Sequence, residues 1–119
     1  MSGKAGKPPW AVTPEKVEAA VRKIIEVSRP VKIILFGSYV RGATGRDSDL
    51  DILVVTADTI RNPRQESVRL RRALREISMP MDILVVPRSQ WEELKDTPGL
   101  IYREAWRTGK VVYESPQAV

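Results

Sequence analysis

The chain has 119 residues, enough for one domain with a core and too few for a second. It contains neither cysteine nor histidine, which excludes disulfides, thiol nucleophiles, the usual zinc sites and imidazole acid–base chemistry and leaves carboxylates as the bases. A formal net charge of +5 suits a phosphate-bearing ligand or an acidic partner, but equally an ordinary basic surface, so charge alone does not choose between them.

Residues 1–12 are rich in Gly, Lys and Pro and read as a mobile basic tail, without the apolar core of a signal peptide. Thr13, Pro14 and Glu15 then supply a capping hydroxyl, a proline for the first helical position and an early acid. Val17, Ala20, Val21, Ile24 and Ile25 recur at helical spacing until Pro30 stops the helix. The short β-branched run Val31 to Phe36 reads as a buried strand. A polar, glycine-rich connection from Gly37 to Ser48 leads to a second strand, Leu50 to Val55. A helix is expected from Thr59 to Ser78, with Leu70, Leu74 and Ile77 on its inner side, and a third strand from Met81 to Val86. Ser89 to Glu92 has the pattern of a capping box opening a short helix through Leu94. Thr97-Pro98 opens another, closed by Gly109 at the C′ position, and Lys110 to Tyr113 makes a fourth strand. The folded domain thus spans 13–114, with 115–119 as a tail. No apolar stretch is long enough for a bilayer, and the lack of cysteine is compatible with a cytoplasmic location.

The chemistry concentrates where strands begin and end. Side chains alternate along a strand, so Asp49 and Asp51 point the same way. Asp82 opens a segment, Asp82 to Val86, that repeats the sequence of Asp51 to Val55, so parallel pairing in register would bring Asp82 beside Asp51. A carboxylate pair can cap a turn, but two on one face next to a buried apolar run are costly without a cation. Oxygen ligands of this kind favour Mg2+, with Mn2+ as the alternative. Gly37 lets a backbone approach closely, and Ser38 with the amides that follow it would open a helix N-terminus suited to phosphate. Arg41, one helical turn from Ser38, could pair with a phosphate through its guanidinium fork, whereas Arg46 and Ser48 are weaker loop candidates. Gathering these groups needs strand one antiparallel to strand two and strand two parallel to strand three, with a helix as the crossover. The expected fold is α/β: a mixed sheet of three to four strands with helices mainly on one face.

Gly37, Ser38, Arg41, Gly42, Ser48, Asp49, Leu50, Asp51 and Asp82 together resemble the hallmark of the polymerase-beta-like nucleotidyltransferase superfamily: Gly-Ser, a spacer, Asp-x-Asp and a distal third Asp. Within it the chain is similar to the minimal nucleotidyltransferases often paired with a HEPN-type protein, over roughly Thr13 to Glu114. The resemblance implies transfer of AMP from ATP to a hydroxyl acceptor with release of pyrophosphate. It makes Asp49, Asp51 and Asp82 catalytic residues and the ligands of two Mg2+ ions, with Asp82 also accepting the nucleophile's proton. Gly37, Ser38, Arg41 and Ser48 would hold the nucleotide. A domain this small has little surface to enclose an acceptor, so the resemblance further implies a helical HEPN-type toxin that presents a protein hydroxyl, and an antitoxin role. Two other readings stay open: an inert antitoxin or nucleotide sensor acting by binding alone, and nucleotidyl transfer to a small molecule, which usually needs an additional domain. Self-association is also open.

The arginines at 61, 64, 69, 71, 72 and 75 spread around a helix and are diluted by Glu66 and Glu76, which favours a solvated face or an acidic protein partner over nucleic acid. Trp91, Tyr102 and Trp106 fall at helical spacing and read as core or interface packing rather than base stacking.

Overall fold

Thr13 starts the first helix as its chemistry requires: its Oγ1 accepts a hydrogen bond from the Lys16 amide at 3.2 Å, with Pro14 behind it at the first helical position. The computed structural model describes residues 9–42, 49–59 and 62–116, and the statements that follow concern these. Helix α1 (Pro14–Ser28) ends where Arg29 turns left-handed at φ 49° and Pro30 follows. Before α1, residues 9–12 lie against the domain: Val12 packs on the core, and Lys16 Nζ donates to the carbonyls of Pro9, Ala11 and Ser78.

Four strands follow, β1 (Lys32–Phe36), β2 (Leu50–Thr56), β3 (Met81–Pro87) and β4 (Lys110–Glu114), in the spatial order β3-β2-β1-β4. β1 is antiparallel to β2 and to β4, and β2 is parallel to β3. These are the directions inferred from the chemistry, and α2 (Pro63–Ala73) supplies the crossover.

Helix α2 is shorter than the expected 59–78. Its cap is Asn62, whose side chain accepts from the Gln65 amide at 3.1 Å, because Pro63 has no amide to donate and suits only the first turn. At the other end Leu74 leaves the helix and Ile77 continues in a turn, its amide bonded to the Leu74 carbonyl. The chain must reach the edge of β2, where the Leu50 amide donates to the Pro80 carbonyl and extends the β2–β3 ladder.

Helix α3 (Arg88–Leu94) starts one residue before Ser89, and no side chain of its own caps it. The Ser89 amide instead donates to Asp58 Oδ1 at 2.9 Å, so the cap expected of Ser89 comes from the loop after β2. Helix α4 (Ile101–Thr108) begins after Gly99 rather than at Thr97-Pro98. Gly109 ends α4 in an extended conformation, not the left-handed one expected of a C′ glycine. Glycine is needed there for contact: a Cβ would lie 2.6 Å from Ile34 Cγ2 and 3.0 Å from the Leu35 carbonyl oxygen.

Strand alternation divides the core into two layers. Ile33, Leu35, Ile52, Val54 and Ile83 pack with Ala20, Ile24 and Leu70 of the two longer helices and with Leu74 just after α2. Ile34, Phe36, Leu53, Val55 and Val86 pack with Trp91 and Ala105 of the two short ones. The expectation of helices mainly on one face therefore describes α1 and α2, while α3 and α4 give the opposite face its own apolar layer. Trp91 is buried there and meets Tyr102 and Trp106 edge to face at 6.4 and 6.2 Å, the packing role expected of these aromatics. No helix among the described residues is long and apolar enough to cross a membrane.

Candidate functional site

The parallel ladder aligns Asp51 with Asp82, Ile52 with Ile83 and Leu53 with Leu84, so the repeated sequence is paired with itself. This register places the two acids side by side at the starts of adjacent strands, on the face that carries α3 and α4. Packing enforces it, since a one-residue slip would exchange the side chains that fill the two apolar layers. Asp49 lies exposed just upstream of β2.

Gly37 follows the last residue of β1, and Phe36 is the antiparallel partner of Asp51. Its φ of 95° disfavours any L side chain, and a Cβ would fall on the Asp51 carboxylate, 3.0 Å from Cγ and 3.3 Å from Cβ. The glycine thus makes room for Asp51, a demand that reasoning about phosphate approach did not anticipate. Beyond it the chain makes a turn, not the helix N-terminus expected: the Arg41 amide bonds the Gly37 carbonyl at 3.1 Å, and the Gly42 amide bonds Tyr39 at 3.2 Å. Gly42, at φ 86°, takes the chain out of helical geometry after this single turn. The Tyr39 amide and Ser38 Oγ both donate to the Asp49 carbonyl, at 3.3 and 3.5 Å, and so tie the Gly-Ser turn to the acidic strand end. Ser48 and Arg46 lie outside the described residues.

Arg41 extends to α4, where its Nη1 donates to Glu104 Oε2 at 2.7 Å. Sequence reasoning missed Glu104. Nothing local marks it, because the pair joins residues 63 positions apart.

The charge balance of the site is negative. The carboxyl of Asp51 is held above its ordinary value first by burial, then by Asp82, Asp49 and Glu104, with Arg41 acting in the opposite sense. A bound cation would relieve this arrangement, and the carboxylate oxygens are donors of the kind that suits a hard divalent cation. Among the described residues no three acidic or other ligating side chains are gathered closely enough to hold a metal ion as they stand. What the sheet itself fixes is the Asp51–Asp82 pair.

The arginines of α2 serve other ends. Arg69 donates to both oxygens of buried Glu66 at 2.9 Å and to the Val27 carbonyl at 2.8 Å. Arg71 reaches Ser67 Oγ and the Ile83 carbonyl, and Glu66 also accepts from Ser28 Oγ at 2.6 Å. These bonds lace α2 to α1 and β3, so this part of the expected solvated face is structural. Arg61 lies outside the described residues.

The sequence model of the nucleotidyltransferase domain family matches residues 14–104. No curated protein matches the chain. Among solved structures, a protein from Sulfolobus solfataricus described as a nucleotidyltransferase is 16% identical, with a TM-score of 0.56 over 84% of this chain and 78% of that one. At that identity the likeness shows the fold. A toxin-antitoxin structure with AMP-PNP is 25% identical, with a TM-score of 0.49 over 89% of this chain and 77% of that one. A structure of the toxin-antitoxin MntA-HpeT has the same identity and TM-score, over 89% and 76%.

Proposed function

The chain belongs to the nucleotidyltransferase domain family, and we propose that it is a Mg2+-dependent enzyme moving AMP from ATP to a hydroxyl on a helical HEPN-type toxin, as that toxin's antitoxin. The observation that carries the reading is the in-register pairing of Asp51 with Asp82 beneath the backbone of Gly37. A Gly-Ser turn, a strand-initial acid pair and a second strand-initial acid are thereby brought to one end of one sheet.

Asp49, Asp51 and Asp82 are the residues that would hold Mg2+, or Mn2+ in its place. A metal bound there would lower the acceptor oxygen's pKa and neutralise phosphate charge. Gly37 and Ser38 bind the triphosphate through backbone amides and the hydroxyl, Ser48 is assigned to nucleotide binding by the motif resemblance, and Arg41 pairs with phosphate oxygens. Asp82, exposed at the start of β3, accepts the proton of the attacking hydroxyl. The acceptor oxygen forms a bond to the α-phosphorus, the bond from that phosphorus to the bridging oxygen breaks, and pyrophosphate leaves. Holding the reactants in line and compensating charge are the contributions a scaffold of this kind makes. The motif resemblance and the small size of the domain support a protein acceptor over a small molecule.

The test is intact-mass spectrometry of a helical HEPN-type protein incubated with this chain, Mg2+ and ATP. AMP-mass increments are expected on the partner and should vanish with Asp49→Ala/Asp51→Ala. Neutralisation of toxicity by the wild type without any increment, matched by that variant, would leave binding alone as the function.

A further inference from the structure

Arg41 bears on phosphate in the reading above, yet its fork is already engaged. Its Nη1 lies 2.7 Å from Glu104 Oε2, a short charge-assisted bond. The two side chains are 51% and 43% exposed, so water competes for the pair and it exchanges readily. Glu104 is firmly mounted. Its neighbour Ala105 is buried against the sheet at 1% exposure, and the Glu104 carbonyl accepts from Thr108 Oγ1 at 2.7 Å. A packed helix thus carries a partly exposed carboxylate to the residue that the incoming anion needs. Glu104 also adds negative charge to the field at Asp51.

We propose that Glu104 is a latch on the phosphate-binding arginine: it occupies Arg41 until the triphosphate of a nucleotide displaces it. The inference rests on the nucleotide-binding role of Arg41 proposed above. A triphosphate offers several oxygens and more charge than one carboxylate, and it can meet the fork with two bonds where Glu104 makes one. Once displaced, the Glu104 head rotates away from the phosphate into solvent. The latch therefore lowers affinity for every nucleoside triphosphate alike and leaves the choice of base to other residues.

The test is a double-mutant cycle on the full chain with Mg2+, using AMP-PNP and inorganic triphosphate as probes and isothermal titration as the readout. Glu104→Gln should tighten both probes by about two- to fivefold, the range that exchange of one exposed ion pair supports. In the Arg41→Ala background the same substitution should give less than half of that gain, because no fork remains to be freed. Glu104→Ala serves as a second variant, and thermal melts confirm that each protein is folded. Equal gains in both backgrounds would overturn the latch, since Glu104 would then act only through its field. Weaker binding by Glu104→Gln, or a gain confined to AMP-PNP, would overturn it too. Failure of folded wild type and both Glu104 variants to bind either probe would remove the nucleotide-binding reading itself. Tight wild-type binding with no gain would remove the latch alone.

Discussion

Replacing Asp51 with Asn should stabilise the protein in the absence of metal and nucleotide. Asp51 and Asp82 face each other across adjacent strands, and such strands lie about 4.8 Å apart. Two unit charges about 5 Å apart repel by ~0.8 kcal/mol in a water-like dielectric and ~3 kcal/mol at an effective value of 20. Asp82 is exposed, so the lower figure applies, and neutralising a half-buried carboxylate adds to it. A gain of about 1 kcal/mol corresponds to a Tm rise of about 3–5 °C in a domain of this size. The sign of the pH dependence follows. The unfolded carboxyl ionises near 3.8 and the folded one higher, so between the two values the native state binds more protons and stability falls as pH rises. The advantage of Asp51→Asn should therefore be small below the unfolded value, open as pH rises through the folded one, and be complete above it. Calorimetry of both proteins from acid to neutral pH, without divalent cation, measures this. A loss of several degrees in the variant would mean that Asp51 is a structural cap, and a difference independent of pH would mean that its charge is not the source.

Gly37→Ala should cost about 1–3 kcal/mol in urea unfolding, because residue 37 has φ 95° and a Cβ there meets the Asp51 carboxylate. The cost should shrink but persist with Asp51→Ala, since the carboxylate is gone and the backbone strain is not. Asp58→Ala should cost about 1 kcal/mol by removing the acceptor for the Ser89 amide, and hydrogen exchange should report faster opening at the start of α3. A change of Ser89 to Ala should be nearly neutral, the reverse of what a capping box there requires.

What the amino-acid sequence determined by itself was whatever is written in local chemistry or in repetition. Thr13-Pro14 marks the start of α1, and β-branched runs mark the strands. The shared Ile-Leu-Val-Val run after Asp51 and Asp82 specified the parallel register that joins the acids, because burial of both faces penalises any slip. Family membership was legible in the same residues. The tertiary structure alone decided the contacts made between distant segments. Asp58 caps α3 across the loop, and α2 ends early because the chain must return to β3. Gly109 is required by its approach to β1 rather than by its dihedral, and Gly37 by the carboxylate it shelters. Arg41 bonds Glu104, a partner chosen by where α4 crosses the sheet. Local propensity acts over a few residues, whereas these pairings depend on how helices settle on a packed sheet, so no short stretch of sequence encodes them.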